Sequence, residues 1–272
     1  MKKLILFLFL IFGFVVAAFG QESTLQKVPL SQAEIDKILA KVATNETHFR
    51  QALTNYNFSR SATIQTVGIG GNITGTYRRD SDMTITPEGT RLEKITFFPV
   101  DTLTEVSITP QDLEDLGGVN PFAIEPDSVP KYNFTYMGKD HIDDLDLWVF
   151  DVAPKVMPDP KKINDRMFQG RIWVDVDDLT IVKSKGKGVP ETKNNKYPII
   201  ETYRENIDGK YWFPSFAMSD DEVVFGSGQV VKFRVRIKFN AYKLGHTDVR
   251  VIGEDEAVPD ASPSPTPTPK KP

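Results

Sequence analysis

The chain has 272 residues, a formal net charge of −4, 26% charged residues and no cysteine. That mildly acidic balance excludes the basic footprint that nucleic-acid backbones require. With no thiols there are no disulfide staples, so an ordinary hydrophobic core must hold the fold, and the length suffices for one large domain or two small ones.

The first twenty residues stand apart: Lys2-Lys3, an almost unbroken apolar run from Leu4 to Phe19, then the close Ala17-Ala18-Phe19-Gly20. This is the pattern of a secretory signal peptide over residues 1–20, with Ala18 and Gly20 at the −3 and −1 positions and cleavage expected before Gln21. The alternative is an uncleaved anchor, since the apolar stretch approaches the length of a membrane span. No cysteine follows that could carry lipid, so the mature chain is expected to be soluble in the periplasm. Residues 21–30 read as a short linker.

"SQAEIDKILAKVATNETHFRQALTNY", from Ser31 to Tyr56, opens with Ser31 and Glu34 as a capping box. It repeats Ile35, Ile38, Leu39 and Val42 at helical spacing. One amphipathic helix starts the domain, with Asn45 as the candidate break point, and its apolar stripe is expected to pack on a sheet.

After Tyr56 the period changes to two. Strands are predicted at 62–67, 72–79, 83–86, 91–98, 103–108, 131–137 and 147–152, with "GIGGN" (Gly68–Asn72) as a hairpin turn. A short helix, "TPQDLEDL", capped by Thr109 with Pro110 in its first turn, interrupts them. "GRIWVDVDDLTIVKSKGKGVP" (Gly170–Pro190) is strand, turn, strand. A calcium loop would need carboxylates at alternate positions, a distal bidentate Glu and a Gly at the sharp turn. None of these surrounds Asp175, so Asp177-Asp178 is the corner of a hairpin. In "PIIETYRENIDGKYWFP" the Asp208-Gly209 pair marks a tight primed turn. "VVKFRVRIKFNAY" places Val231, Phe233, Val235, Ile237 and Phe239 on one face and four cations on the other. Those cations are expected to pair with Glu201 and Glu205 across strands. Residues 253–272, rich in Pro, Ser and Thr, are a solvated tail outside a folded domain at 31–252.

Catalytic chemistry is thin in this sequence. There is no Gly-x-Ser-x-Gly elbow, and His48, His141 and His246 are scattered over a helix, a turn and the end of the last strand. Neither a metal nor a cofactor motif is present. A non-enzymatic protein is expected, with a hydrolase assembled from non-local residues as the remote alternative.

The hairpins carry a family resemblance. "LWVFDVAPK", "FQGRIWVDVDDLTIVKSKGKG" and "ETYRENIDGKYWFP" together resemble the outer-membrane lipoprotein-sorting proteins, a group that includes periplasmic lipoprotein carriers and a lipoprotein-sensing partner of an anti-sigma factor. The shared pattern is an aromatic-led strand ending in Asp, a short turn and a second strand. The resemblance implies an α+β fold: a curved antiparallel sheet forming a half-open barrel around an apolar cavity, with the N-terminal helix and the short helix as a lid. It also implies acyl chains of a lipid or lipoprotein as the ligand of a monomeric protein. Phe97, Trp148, Phe150, Trp173, Trp212 and Phe216 are the candidate cavity lining, with ordinary core packing as the competing role for each. The alternative function is a periplasmic sensor or interaction module that binds an envelope membrane protein without lipid cargo.

Overall fold

The computed structural model describes residues 25–85, 91–109, 112, 124–161 and 166–245. The predicted signal peptide, the Pro-rich tail and most of the "TPQDLEDL" helix lie outside the described residues.

Helix α1 spans Gln32–Leu53 and starts as its sequence requires. The Ser31 hydroxyl accepts from the Glu34 amide at 3.3 Å, while the Ser31 amide donates to the Glu34 carboxylate at 2.7 Å. No break occurs at Asn45. Its side-chain amide donates to the carbonyls of Asp178 and Leu179, both at 2.9 Å, so the residue bonds across to a turn instead of competing for its own backbone. Ile38, Leu39 and Val42 are buried, as the stripe predicts.

Eleven strands follow among the described residues: β1 Tyr56–Val67, β2 Ile73–Ile85, β3 Arg91–Phe97, β4 Tyr132–Ile142, β5 Leu145–Pro154, β6 Met167–Asp175, β7 Ile181–Val189, β8 Ile200–Ile207, β9 Tyr211–Ser219, β10 Glu222–Val224 and β11 Val230–Leu244. They form one antiparallel sheet in the order β3-β2-β1-β11-β9-β8-β7-β6-β5-β4, with β10 added to β11. The sheet stays open, with β3 and β4 at its two ends, and the class is α+β. Most neighbours in sequence are neighbours in space, as short hairpins dictate. The exceptions are β3 and β4, consecutive in the chain but at opposite ends of the sheet, and β11, which returns to pair with β1 over eleven registered positions and so joins the first and last strands.

Two predicted strands, 72–79 and 83–86, are one continuous strand β2, and 103–108 forms none. That segment runs beside β2 through a few bonds, among them Thr102 N–H to the Thr76 carbonyl at 3.1 Å. The predicted turns are in place. Asp208 and Gly209 both have positive φ, 54° and 66°, as a primed hairpin demands. The Asp175 carboxylate accepts from the Asp177 and Asp178 amides at 2.9 and 2.6 Å, so it shapes its own corner.

The cations of β11 have other partners than those predicted. Arg234 and Arg236 pair with Asp220, while Glu201 pairs with Lys183 and Lys185. The reason is topological: β9 lies between β8 and β11, which puts the acids of β8 two strands away.

Both faces of the sheet carry apolar side chains. On one face α1 packs over two clusters, the first from Phe49 to Phe213 and Phe239, the second from Val42 to Phe150 and Ile172. The opposite face buries a smaller cluster of Leu147, Val149, Trp173 and Val182.

Candidate functional site

Along the helix-bearing face, β1, β11, β8, β7 and β6 each turn alternate residues inward. Ile64 comes from β1, Phe233 and Val235 from β11, Ile200 and Thr202 from β8, Ser184 and Gly186 from β7, and Phe168 from β6. Together they line a cavity of about 880 Å³. Five strand steps separate β1 from β6 in the sheet order, about 24 Å if the sheet were flat. For both to line one cavity the sheet must curve, and the cavity occupies its concave side. The volume lies in the upper part of the range for small-molecule sites.

Small residues make the space. On β7 the inward positions are Ser184, Gly186 and Gly188, whereas Ile181 lower on the same strand is buried under α1. The Phe168 ring fills the gap over Gly186 so closely that a Cβ there would stand 2.5 Å from it. Loops 105–109, 194–198 and 225–229 complete the walls. The last two are tied together, the Gly226 amide donating to the Lys193 carbonyl at 2.7 Å.

Among the described residues each wall cation faces a carboxylate. Arg166 pairs with Asp112 at 3.2 Å and lies over the Tyr197 ring at 4.8 Å. Lys187 and Lys196 share Glu191 at 2.8 and 3.5 Å. Burial alone would raise the Glu191 carboxyl, but the Lys187 ammonium, the Tyr197 amide and the Lys196 charge outweigh it and hold the group below the ordinary range. Arg204 lines the cavity at the end nearest α1 and makes a two-point contact with Glu46 of the helix, at 2.6 and 3.0 Å. The outcome is an apolar floor inside a charge-matched wall, suited to an apolar ligand.

None of Phe97, Trp148, Phe150, Trp173, Trp212 and Phe216 is among the residues lining this cavity, and the fold does not bring the six together. Phe97 sits half-exposed on edge strand β3 under the Arg78 guanidinium, 4.9 Å from its ring centre. Phe150 is fully buried beneath α1, and Trp148 packs at the side of the same cluster, its ring 6.0 Å from that of Tyr136. Trp173 and Trp212 point to the other face. The Trp173 indole donates to Asp140 at 2.9 Å, and that of Trp212 to Asp178 at 3.2 Å. Phe216 is half-buried on β9 opposite Tyr203 of β8 and Lys238 of β11. What lines the cavity instead is the aliphatic set, with Phe168, Tyr197, Phe225 and Phe233 as the aromatics among the described residues.

Among the described residues no histidine lines the cavity. His48 is exposed on α1, His141 contacts Asp146 at 2.9 Å, and His246 lies outside the described residues. Among the described residues no group of three His, Asp or Glu is placed to hold a metal ion.

No protein family and no curated protein matches the chain in sequence. Crystal structures similar to it in fold include these two. One is a DUF1329 family protein from Desulfovibrio piger, 15% identical, matched over 76% of this chain and 92% of that one with a TM-score of 0.39. The other is a domain from Vibrio parahaemolyticus named for outer membrane lipoprotein sorting, 12% identical, matched over 75% of this chain and 93% of that one with a TM-score of 0.34.

Proposed function

We propose that the protein binds lipid or lipoprotein in the periplasm, without enzymatic activity, and shields acyl chains in the cavity on the concave side of its sheet. One observation carries the reading: a cavity of about 880 Å³ with an apolar floor, whose four lining cations among the described residues are all matched by carboxylates. At roughly 30 Å³ per methylene-sized group, the share of one liquid water, it has room for on the order of thirty such groups. That is one long chain with space to spare, or two of medium length. Each methylene removed from water gains about 0.8 kcal/mol, so a fourteen-carbon chain offers on the order of 10 kcal/mol before ordering costs. The signal-peptide pattern supports export, and the acidic balance supports a partner other than nucleic acid.

A second reading, an interaction module for an envelope protein, draws on the edge strand β3. Ile95, Phe97 and the following Phe98 are exposed there beside a sheet edge that pairs with no further strand among the described residues.

Native mass spectrometry of the mature chain, purified gently from an envelope fraction, tests the first reading. An adduct that fragments to acyl-chain masses is the expected result. A bare polypeptide that also fails to take up a fluorescent fatty acid would overturn it in favour of the interaction module.

A further inference from the structure

Twelve large hydrophobic side chains are exposed among the described residues, and they are not spread evenly. Four lie along β3 and just after it. Leu244 alone stands at the end of the sheet where α1 terminates and the Asp208-Gly209 turn lies. The other seven crowd the opposite end, where loops 105–109, 194–198 and 225–229 rim the cavity.

The strand register shows the grouping. Val67 pairs with Ile73 on one side and with Lys232 on the other, and Lys232 in turn faces Glu222. The β1–β2 and β10–β11 turns therefore project side by side from one end of the sheet. Ile69 is fully exposed at the first tip, with Ile73 at its base; Val224 and Val230 flank the second. Val156 and Met157 extend from the end of β5 in the same direction, since β5 runs antiparallel to β6, whose start lines the cavity. Gly70 and Gly71 carry positive φ, and a Cβ at either would meet nothing, so the first tip is narrow and bare.

We propose that this end of the molecule docks on the surface of a lipid bilayer, the two hairpin tips entering the headgroup and acyl boundary so that the cavity rim faces the leaflet. The inference rests on the cavity being an acyl-chain site and adds where its ligand comes from. A protein partner requires a continuous, complementary patch of about 600 Å² or more on each side. Here single aliphatic side chains stand on separate turns, a shape around which a fluid lipid layer can close. Lys193 and Lys232 stand beside the tips with apolar stems and charged heads, suited to lie at headgroup level. Glu222 stands opposite Lys232 in the ladder and Asp221 is next to it in sequence, so cations and acids alternate at this end and the docking is ascribed to apolar burial rather than to anionic lipid.

The absence of cysteine from the chain makes a site-specific test direct. Ile69→Cys, Val224→Cys and, at the far end, Leu244→Cys are each labelled with an environment-sensitive fluorophore on the mature chain. Each is mixed with phosphatidylcholine vesicles, with and without phosphatidylglycerol, at low and high salt. Labels at 69 and 224 are expected to shift to the blue and to be quenched by bilayer-embedded nitroxide lipid on both vesicle types and at both salts, with 244 unchanged. The pair Ile69→Ser and Val224→Ser, with a label at 230 (Val230→Cys), is expected to weaken partition about tenfold or more.

No response at 69 and 224, or an equal response at 244, overturns the proposal and leaves a protein as the occupant of this end. A response confined to anionic vesicles at low salt overturns it as well. Uptake of a fluorescent fatty acid from solution separates the two readings. Uptake without docking sinks only the docking, whereas docking without uptake sinks the acyl-chain cavity on which it rests.

Discussion

Glu46 of helix α1 and Arg204 of strand β8 form a two-point ion pair across the helix–sheet interface, their side chains 1% and 7% exposed. The Arg204 guanidinium also lies 4.3 Å from the centre of the Phe49 ring, which fixes its plane as well as its charge. Because Arg204 also lines the cavity, the pair is the boundary between the part of the concave face covered by α1 and the part left open. Removing one partner strands the other as a buried charge, at a cost of about 3–5 kcal/mol. Glu46→Gln and Arg204→Met are each expected to lower the urea midpoint by that order. The double variant Glu46→Leu with Arg204→Leu should recover much of the loss, because neither charge remains to be desolvated. Equal loss in the single and double variants would show that geometry, not charge pairing, is what the site requires.

The cavity reading makes a prediction that separates its lining from the tryptophans. Ser184→Leu and Thr202→Leu place aliphatic bulk into the open volume from β7 and β8 and are expected to cut uptake of a fluorescent fatty acid at least tenfold while leaving thermal stability nearly unchanged. Trp148→Phe and Trp212→Phe, which lie outside the lining, should leave uptake within twofold of the parent. Loss of uptake in the tryptophan variants with full uptake in the filled ones would move the ligand site to the other parts of the sheet.

Much of this fold can be read from local pattern, because helix caps and hairpin turns are written in a few adjacent residues. Ser31 with Glu34, Asp208 with Gly209 and the Asp175 corner all behave as their chemistry dictates. Pairing between distant strands is not local, so the partners of the β11 cations could not be assigned before the sheet order was known. The cavity is hard to read from sequence for a related reason. Aromatic density marks well-packed strands, and Trp148, Phe150 and Trp173 are such residues, whereas a cavity is marked by what is small. The alternation Ser184, Gly186, Gly188 between lysines in "KSKGKG" is that signal, visible in the sequence and legible once β7 is known to face inward.

Alkaline stability should depend on Tyr56. Its ring is buried among Phe213 and Tyr211, and its hydroxyl donates to Asp208 at 2.7 Å. Burial first, then the hydrogen bond to the carboxylate and its charge, pushes the phenol up to about 12. With the folded value above the unfolded value near 10, the contribution is fully present below about pH 10. It is lost as pH rises through the folded value. Urea denaturation between pH 9 and 12 should show a declining midpoint that flattens in Tyr56→Phe. That variant begins about 1 kcal/mol less stable through loss of the hydrogen bond. An unchanged slope would assign the decline to other groups.

The acid limb should depend on Glu93, which holds edge strand β3 to its neighbours. Its carboxylate accepts from Arg60 at 2.7 Å, from Arg79 at 2.5 Å and from the Ser81 hydroxyl at 2.6 Å. Burial by itself would raise this carboxyl, but the Ser81 bond and the two guanidiniums overcome it and hold the group below the ordinary range. A depressed folded value contributes stability that is present above the unfolded value, about 4.3 for glutamate. That contribution is lost as pH falls through the folded one. Arg60 is 3% exposed, so protonation of Glu93 leaves a buried cation without its counter-charge. Glu93→Gln is expected to be less stable at pH 7 by about 2–4 kcal/mol and to show a shallower decline between pH 5 and 3. Hydrogen exchange should place the loss in β3 and β2. Unchanged protection of those strands in the variant would show that the edge is held by its backbone ladder and not by this carboxylate.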